Sequence, residues 1–144
     1  MAVPQGSLAP DFELKDQHGV PVRLSGLRGR RVVLVFFPLA FSGVCTSELA
    51  ALSSARLPAE VLAVSVDSVF TQRAWADQEH FSFPLLSDFW PHGQVARAYG
   101  VFDEERGFAL RGTFILDGDG VIQWSIVNPI SQPRDVADYL KALS

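Results

Sequence analysis

Val32-Val33-Leu34-Val35-Phe36-Phe37-Pro38-Leu39-Ala40-Phe41-Ser42-Gly43-Val44-Cys45-Thr46-Ser47-Glu48-Leu49 passes from an unbroken apolar run, through a loop opened by proline, into residues of helical composition. The run Val32 to Phe37 is apolar at every position and β-branched at its start, which predicts a central strand buried on both faces. Pro38 to Val44 is the connecting loop, and Cys45 opens the following helix, which continues through Glu48-Leu49-Ala50-Ala51-Leu52 and runs out before Pro58.

Upstream, Phe12-Glu13-Leu14 and Val22-Arg23-Leu24 alternate around Asp16-Gln17-His18-Gly19 and read as a hairpin. Downstream, Val61 to Val66 is a second buried strand. Ser68 then offers an N-cap for a helix that carries Phe70, Ala74 and Trp75 and ends near His80. Phe83-Pro84-Leu85-Leu86 is a short strand whose proline predicts a place at or near a sheet edge. Gln94 to Tyr99 reads as a short helix closed by Gly100. Arg111 to Leu116 and Val121 to Ile126 flank Asp117-Gly118-Asp119-Gly120, a hairpin signal, and Asp135 to Leu143 is an amphipathic terminal helix. A hairpin, then βαβα, a short strand and helix, then ββα is the element order of a thioredoxin-like α/β fold. The expectation is a central mixed sheet flanked by helices, with an N-terminal β-hairpin, and it rests partly on analogy.

Composition bounds the function. The 144 residues, 48% hydrophobic and 19% charged, supply one full core, so a single domain over 1–144 is expected. A net charge of −4 argues against non-specific nucleic-acid binding, which needs basic surface. The one basic cluster, Arg28-Gly29-Arg30-Arg31, reads as a solvated turn. The apolar run Val32 to Phe41 is too short for a membrane span and contains Pro38. The stretch Met1 to Ser7 has neither a basic nor an apolar signal region, so a cytoplasmic location is expected. A single cysteine excludes an intrachain disulfide, a CxxC pair and a zinc site built on several thiolates. No metal and no cofactor are expected.

Everything then turns on Cys45. At the start of a helix, unpaired N–H groups and the positive end of the dipole favour an anion. A free cysteine titrates near pH ~8.5, and such an environment lowers that value. Cysteines are also among the most often buried residues, so position alone leaves an inert core thiol and a reactive one equally open. Ser42, three residues earlier, puts a hydroxyl within reach of the sulfur or of a bound oxygen substrate, and is equally a helix-cap serine. Pro38 stiffens the approach loop and brings no N–H of its own.

Phe36 to Glu48 resembles the peroxiredoxin active-site pattern P-x-x-x-T/S-x-x-C, in the strand, loop and helix context that the family uses. Ala9-Pro10-Asp11-Phe12, Val66-Asp67-Ser68 and Phe83-Pro84-Leu85-Leu86-Ser87-Asp88 agree with the family. Arg111-Gly112-Thr113-Phe114 matches its distal strand bearing an active-site arginine. Phe37 to Phe41 together with Ser87-Asp88-Phe89-Trp90-Pro91-His92-Gly93 is most similar to the AhpE-like, one-cysteine type. Two departures stand out. Serine replaces the commoner threonine at Ser42. Ala50 stands where Q-type relatives often carry a resolving cysteine, and there is no second cysteine at all.

The resemblance implies a thiol-dependent peroxidase. Cys45 attacks a hydroperoxide and becomes a sulfenic acid. Arg111 stabilises the charge, Ser42 orients the peroxide, and Pro38 shields the thiol. Glu48, one turn after Cys45, holds Arg111 or is simply a first-turn carboxylate favoured by the dipole; both readings stay open. Phe37, Leu39, Phe41 and Trp90 form a candidate apolar rim for bulky hydroperoxides, although core packing explains most of them equally well. With no resolving cysteine, an external low-molecular-weight thiol or a redoxin must regenerate the enzyme, and relatives of this kind often pair as homodimers. The main alternative is a non-catalytic peroxide-sensing redox protein, and a third reading is an inert interaction module. A cysteine–histidine hydrolase is disfavoured because His18, His80 and His92 are scattered. Asp117 and Asp119 read as turn residues and not as a calcium loop.

Overall fold

The computed structural model describes residues 2–129, 131–132 and 134–143. The N-terminal hairpin pairs β1 (Glu13–Lys15) with β2 (Pro21–Arg23), closed by Asp16, whose carboxylate accepts from the N–H groups of His18 and Val20. A 3-10 turn at Leu24–Leu27 leads to β3 (Val32–Phe36), every residue of which is buried. The rest follows as α1 (Gly43–Ala55), β4 (Glu60–Ser65), α2 (Val69–Glu79), β5 (Leu85–Ser87), α3 (Gln94–Ala98), β6 (Phe102–Asp103), β7 (Phe108–Ala109), β8 (Arg111–Leu116), β9 (Ile122–Asn128) and α4 (Val136–Leu143). The seven-stranded sheet runs β2-β1-β5-β4-β3-β8-β9, with β3, β4 and β5 parallel and the others antiparallel. A mixed sheet with an N-terminal hairpin is the architecture expected above.

Strand alternation separates two cores. Val33, Val35 and Phe37 pack with Ala63, Leu85 and Ile115 under α1, α2 and α4, which contribute Cys45, Leu49, Trp75 and Tyr139. Leu34, Phe36, Leu62, Leu86 and Phe114 face the other way, onto Val95 and Ala96 of α3, Tyr99, and the N-terminal residues Ala9, Phe12 and Leu24. The Cys45 thiol therefore lies within the first of these layers.

Local signals behave as their chemistry dictates. Ser68 caps α2 by accepting from the Thr71 N–H at 3.2 Å, and Asp117 closes the β8–β9 turn by accepting from Asp119 and Val121. Trp75 is fully buried, as a core position requires, whereas Phe70 on the same helix is 85% exposed.

One expectation is corrected. β5 is interior, lying between β1 and β4. Pro84 falls just before the strand, so its missing N–H removes no ladder bond, and its carbonyl accepts from the Ala63 N–H at 3.1 Å. On the opposite side the hairpin docks through Lys15 and Ser87, and the Gln17 side chain accepts the Leu85 N–H at 3.0 Å.

Candidate active site

β3 ends at Phe36 and hands the chain to a loop tied down from below. The Ala40 N–H donates to Asp67 Oδ2 at 2.8 Å, and the Ser65 hydroxyl at the end of β4 donates to the same oxygen at 2.6 Å. Phe41 adopts φ +66°, a left-handed conformation disfavoured for a bulky side chain, immediately before the helix. Ser42 takes the extended N-cap conformation of α1, but its hydroxyl makes no cap bond and donates back to the Leu39 carbonyl at 3.1 Å. Its carbonyl accepts from the Thr46 N–H at 2.9 Å and from the Thr46 hydroxyl at 2.8 Å. Cys45 is the third helical residue and is fully buried.

Arg111 begins β8, the strand antiparallel to β3, and the pleat turns Arg111, Thr113 and Ile115 to the layer that holds α1. Its Nη2 donates to Cys45 Sγ at 3.4 Å and its Nη1 to Glu48 Oε1 at 2.7 Å. A guanidinium against the sulfur stabilises negative charge there, and a fixed planar fork can hold the carboxylate and address the sulfur together.

Arg134, which nothing in the sequence pattern singled out, completes the cluster. Its N–H donates to Glu48 Oε2 at 2.7 Å and its Nη1 to Oε1 at 2.9 Å. Its Nη2 reaches the carbonyls of Phe36 and Gly112. The Arg134 side chain and Glu48 are both fully buried. Burial pulls the Arg134 guanidinium below its ordinary value, and the neighbouring Glu48 carboxylate opposes that shift. Behind it, the Tyr139 hydroxyl pairs with that of Thr113 at 3.0 Å, and burial pushes the phenol up to about 12.

The structure therefore brings Cys45, Glu48 and Arg111 into direct contact, with Ser42 one turn away in the chain and buried Pro38 at the start of the loop. The rim divides. Leu39, Phe41 and Trp90 are 41%, 48% and 81% exposed, but Phe37 is fully buried against Trp75, with ring centroids 5.4 Å apart. Phe37 thus belongs to the core, because it continues the inward-facing row of Val33 and Val35 past the end of β3. Trp90 lines a separate groove with Leu14, Pro21, Val69 and Phe89. Among the described residues no three His, Cys, Asp or Glu side chains stand together as a metal site.

Such a cluster can stabilise a buried thiolate and receive an oxygen-bearing electrophile at the sulfur. Comparison with known proteins agrees. The model of the AhpC/TSA family matches residues 5–125. Alkyl hydroperoxide reductase E of Mycobacterium tuberculosis is 49% identical over 92% of this chain and 89% of its own. Among solved structures, Enterococcus faecalis AhpC superposes with a TM-score of 0.88 at 30% identity, covering 96% of this chain and 89% of that one. Peroxidoxin BcpB of Mycobacterium tuberculosis gives 0.82 at 34% identity, covering 96% and 93%.

Proposed function

The chain belongs to the AhpC/TSA family and is a thiol-dependent peroxidase with a single cysteine, and on that premise we propose how its residues share the reaction. The Cys45 thiolate attacks the terminal oxygen of a hydroperoxide. An S–O bond forms as the O–O bond breaks, sulfur is oxidised to the sulfenic acid, and the departing alkoxide or hydroxide takes up a proton. Arg111 stabilises the thiolate and the charge spreading over the two oxygens. Ser42 turns its hydroxyl from Leu39 to the incoming peroxide, Pro38 keeps bulk water from the sulfur, and Glu48 aims Arg111. Leu39 and Phe41 supply apolar surface for an organic hydroperoxide, with Trp90 on the neighbouring groove.

Regeneration proceeds through an external low-molecular-weight thiol. It displaces water from the sulfenic acid to give a mixed disulfide, which a second thiol or a redoxin then reduces. We place the protein, as a single domain over 1–144, in the cytoplasm, where thiols are kept reduced. Among the described residues no helix is long and apolar enough to cross a membrane. Homodimer formation is supported by exposed Leu39, Phe41, Phe70, Phe89 and Trp90, all on segments that follow β3, β4 and β5. The relatives give no support to a non-catalytic sensor.

The observation that carries this assignment of roles is the contact of Arg111 with both Cys45 and Glu48. Stopped-flow oxidation with an organic hydroperoxide tests it. The wild type should consume one equivalent rapidly, gain one oxygen in intact mass, and turn over when a thiol is supplied, and Cys45→Ser should do none of these. A wild-type sulfur no faster than a small free thiol would overturn the reading.

A further inference from the structure

The strand that carries Arg111 presents a second polar side chain to the same layer, and the reaction described above leaves it without a task. Thr113 lies two residues along β8, is fully buried, and bonds the Tyr139 hydroxyl of α4 at 3.0 Å. Two helices therefore reach one face of one strand by polar contacts. α1 meets Arg111 through Glu48, and α4 meets Thr113 through Tyr139.

We propose that Tyr139 is a positioning residue of the Cys45 site: its bond to Thr113 sets the seat of α4 on β8, so that Arg134, just ahead of the helix, meets Glu48 where Glu48 can aim Arg111 at the sulfur. The proposal rests on the peroxidase reading for the role of Arg111, and the contacts run without a break. Arg134 holds Glu48 through its N–H and Nη1, and Glu48 Oε1 accepts from Arg111 Nη1, while Arg111 Nη2 touches Sγ.

Apolar contacts alone do not fix such a helix. α4 buries Tyr139 and Leu143. Apolar burial is non-directional and tolerates sliding and rotation of a short helix. A hydrogen bond between two buried hydroxyls does not, because moving either leaves a polar group unpaired. The Tyr139 ring itself packs edge-on against Trp124 at 5.8 Å, so a phenylalanine ring fits the same space and only the hydroxyl is in question. The charged groups that act on the sulfur are Arg111 from β8 and Arg134 from the segment before α4, and the titratable groups that face these two arginines are Glu48 from α1 and Tyr139 from α4. Tyr139 further faces Asp138 of its own helix.

The test uses the full-length protein as Tyr139→Phe, Thr113→Val, Thr113→Ser and the Tyr139→Phe/Thr113→Val double variant. Iodoacetamide alkylation of Cys45 is followed from acid to alkaline pH, and peroxide oxidation is followed in parallel. Both single deletions should displace the alkylation profile to higher pH and slow peroxide oxidation at neutral pH by about fivefold, the effect of one net hydrogen bond. The double variant should be no worse than either single one, and Thr113→Ser should keep the wild-type profile. An undisplaced profile, one that changes height equally at every pH, or single effects that multiply in the double variant would each overturn the proposal. If Tyr139→Phe does not fold, Thr113→Val decides by the same criteria. Iodoacetamide is not a peroxide, so failure of the peroxidase reading shows in the oxidation arm alone and leaves the alkylation arm decisive for Tyr139.

Discussion

Arg111 and Arg134 share one carboxylate oxygen: Glu48 Oε1 accepts from Arg111 Nη1 at 2.7 Å and from Arg134 Nη1 at 2.9 Å, with all three side chains buried. Buried ions are retained only when paired, and removing the common partner exposes two cations to each other in a medium of low dielectric. Glu48→Gln should therefore cost about 3–5 kcal/mol in urea unfolding. In whatever fraction remains folded, peroxide oxidation of Cys45 should also slow. A variant of wild-type stability would show that the two arginines find other counter-charges.

Arg111→Ala removes the donor that touches the sulfur. The oxidation rate should fall about 10²–10³-fold, the range seen when a donor to a developing oxyanion is deleted. Arg111→Lys keeps the charge but loses the fork that spans Glu48 and Cys45, so it should recover only a minor part. Single-turnover stopped-flow measurement decides between recovery and continued loss.

Ser42→Ala separates chemistry from stability. Loss of an N-cap side chain ordinarily costs ~1 kcal/mol, but the Ser42 hydroxyl makes no cap bond and is turned to Leu39. Denaturant midpoints should barely move while oxidation slows about tenfold, the loss of one hydrogen bond to the transition state. A large stability loss with an unchanged rate would reassign the hydroxyl to structure.

Tyr139 predicts behaviour in alkali. Its folded-state phenol titrates at about 12 because it is buried, against an ordinary value of 10.0. The folded state therefore keeps a proton that the unfolded chain releases, and stability contributed below pH 10 is lost as pH rises toward 12. The slope from one such group is about 1.4 kcal/mol per pH unit, and Tyr139→Phe should remove it. Urea midpoints measured between pH 10 and 12 give the comparison; equal slopes in both proteins would contradict it.

Phe70 is 85% exposed on α2, and Trp90 is 81% exposed in the groove that also holds Val69. Phe70→Glu with Trp90→Glu should leave the unfolding free energy of a dilute monomer unchanged within ~0.5 kcal/mol, as surface substitutions do. It should abolish the homodimer proposed above, read by sedimentation velocity. A dimer that persists would place the interface elsewhere.

What was readable in the chain had short-range causes. Val32 to Phe36 announces a doubly buried strand because no polar residue interrupts it, and Ser68 announces a cap through its hydroxyl. Cys45 stands out through its place after that strand, and Arg111 through the match of its strand to a family pattern. Arg134 was not readable. It follows Gln132 and Pro133 in what reads as a polar approach to a helix, and its burial depends on Glu48, distant in sequence. Phe37 sits where the apolar strand and the loop meet, so its neighbours suit a rim as well as a core. Pro84 suggests an edge only if it lies within the strand, and β5 begins after it, at Leu85; the two-residue strands β6 and β7 are too short to leave a period.

The alternation along β8 has one more consequence. Arg111, Thr113 and Ile115 face the thiol layer, while Phe114 and Leu116 face the opposite core and Gly112 leaves room for Val101, whose Cγ1 would lie 2.8 Å from an added Cβ. A slip of one residue against β3 would drive the guanidinium toward an aromatic core and leave Leu110 or Gly112 in its place against the carboxylate of Glu48. Adjacent registers are therefore heavily penalised, and the arginine that touches the thiol also proofreads the assembly of the sheet.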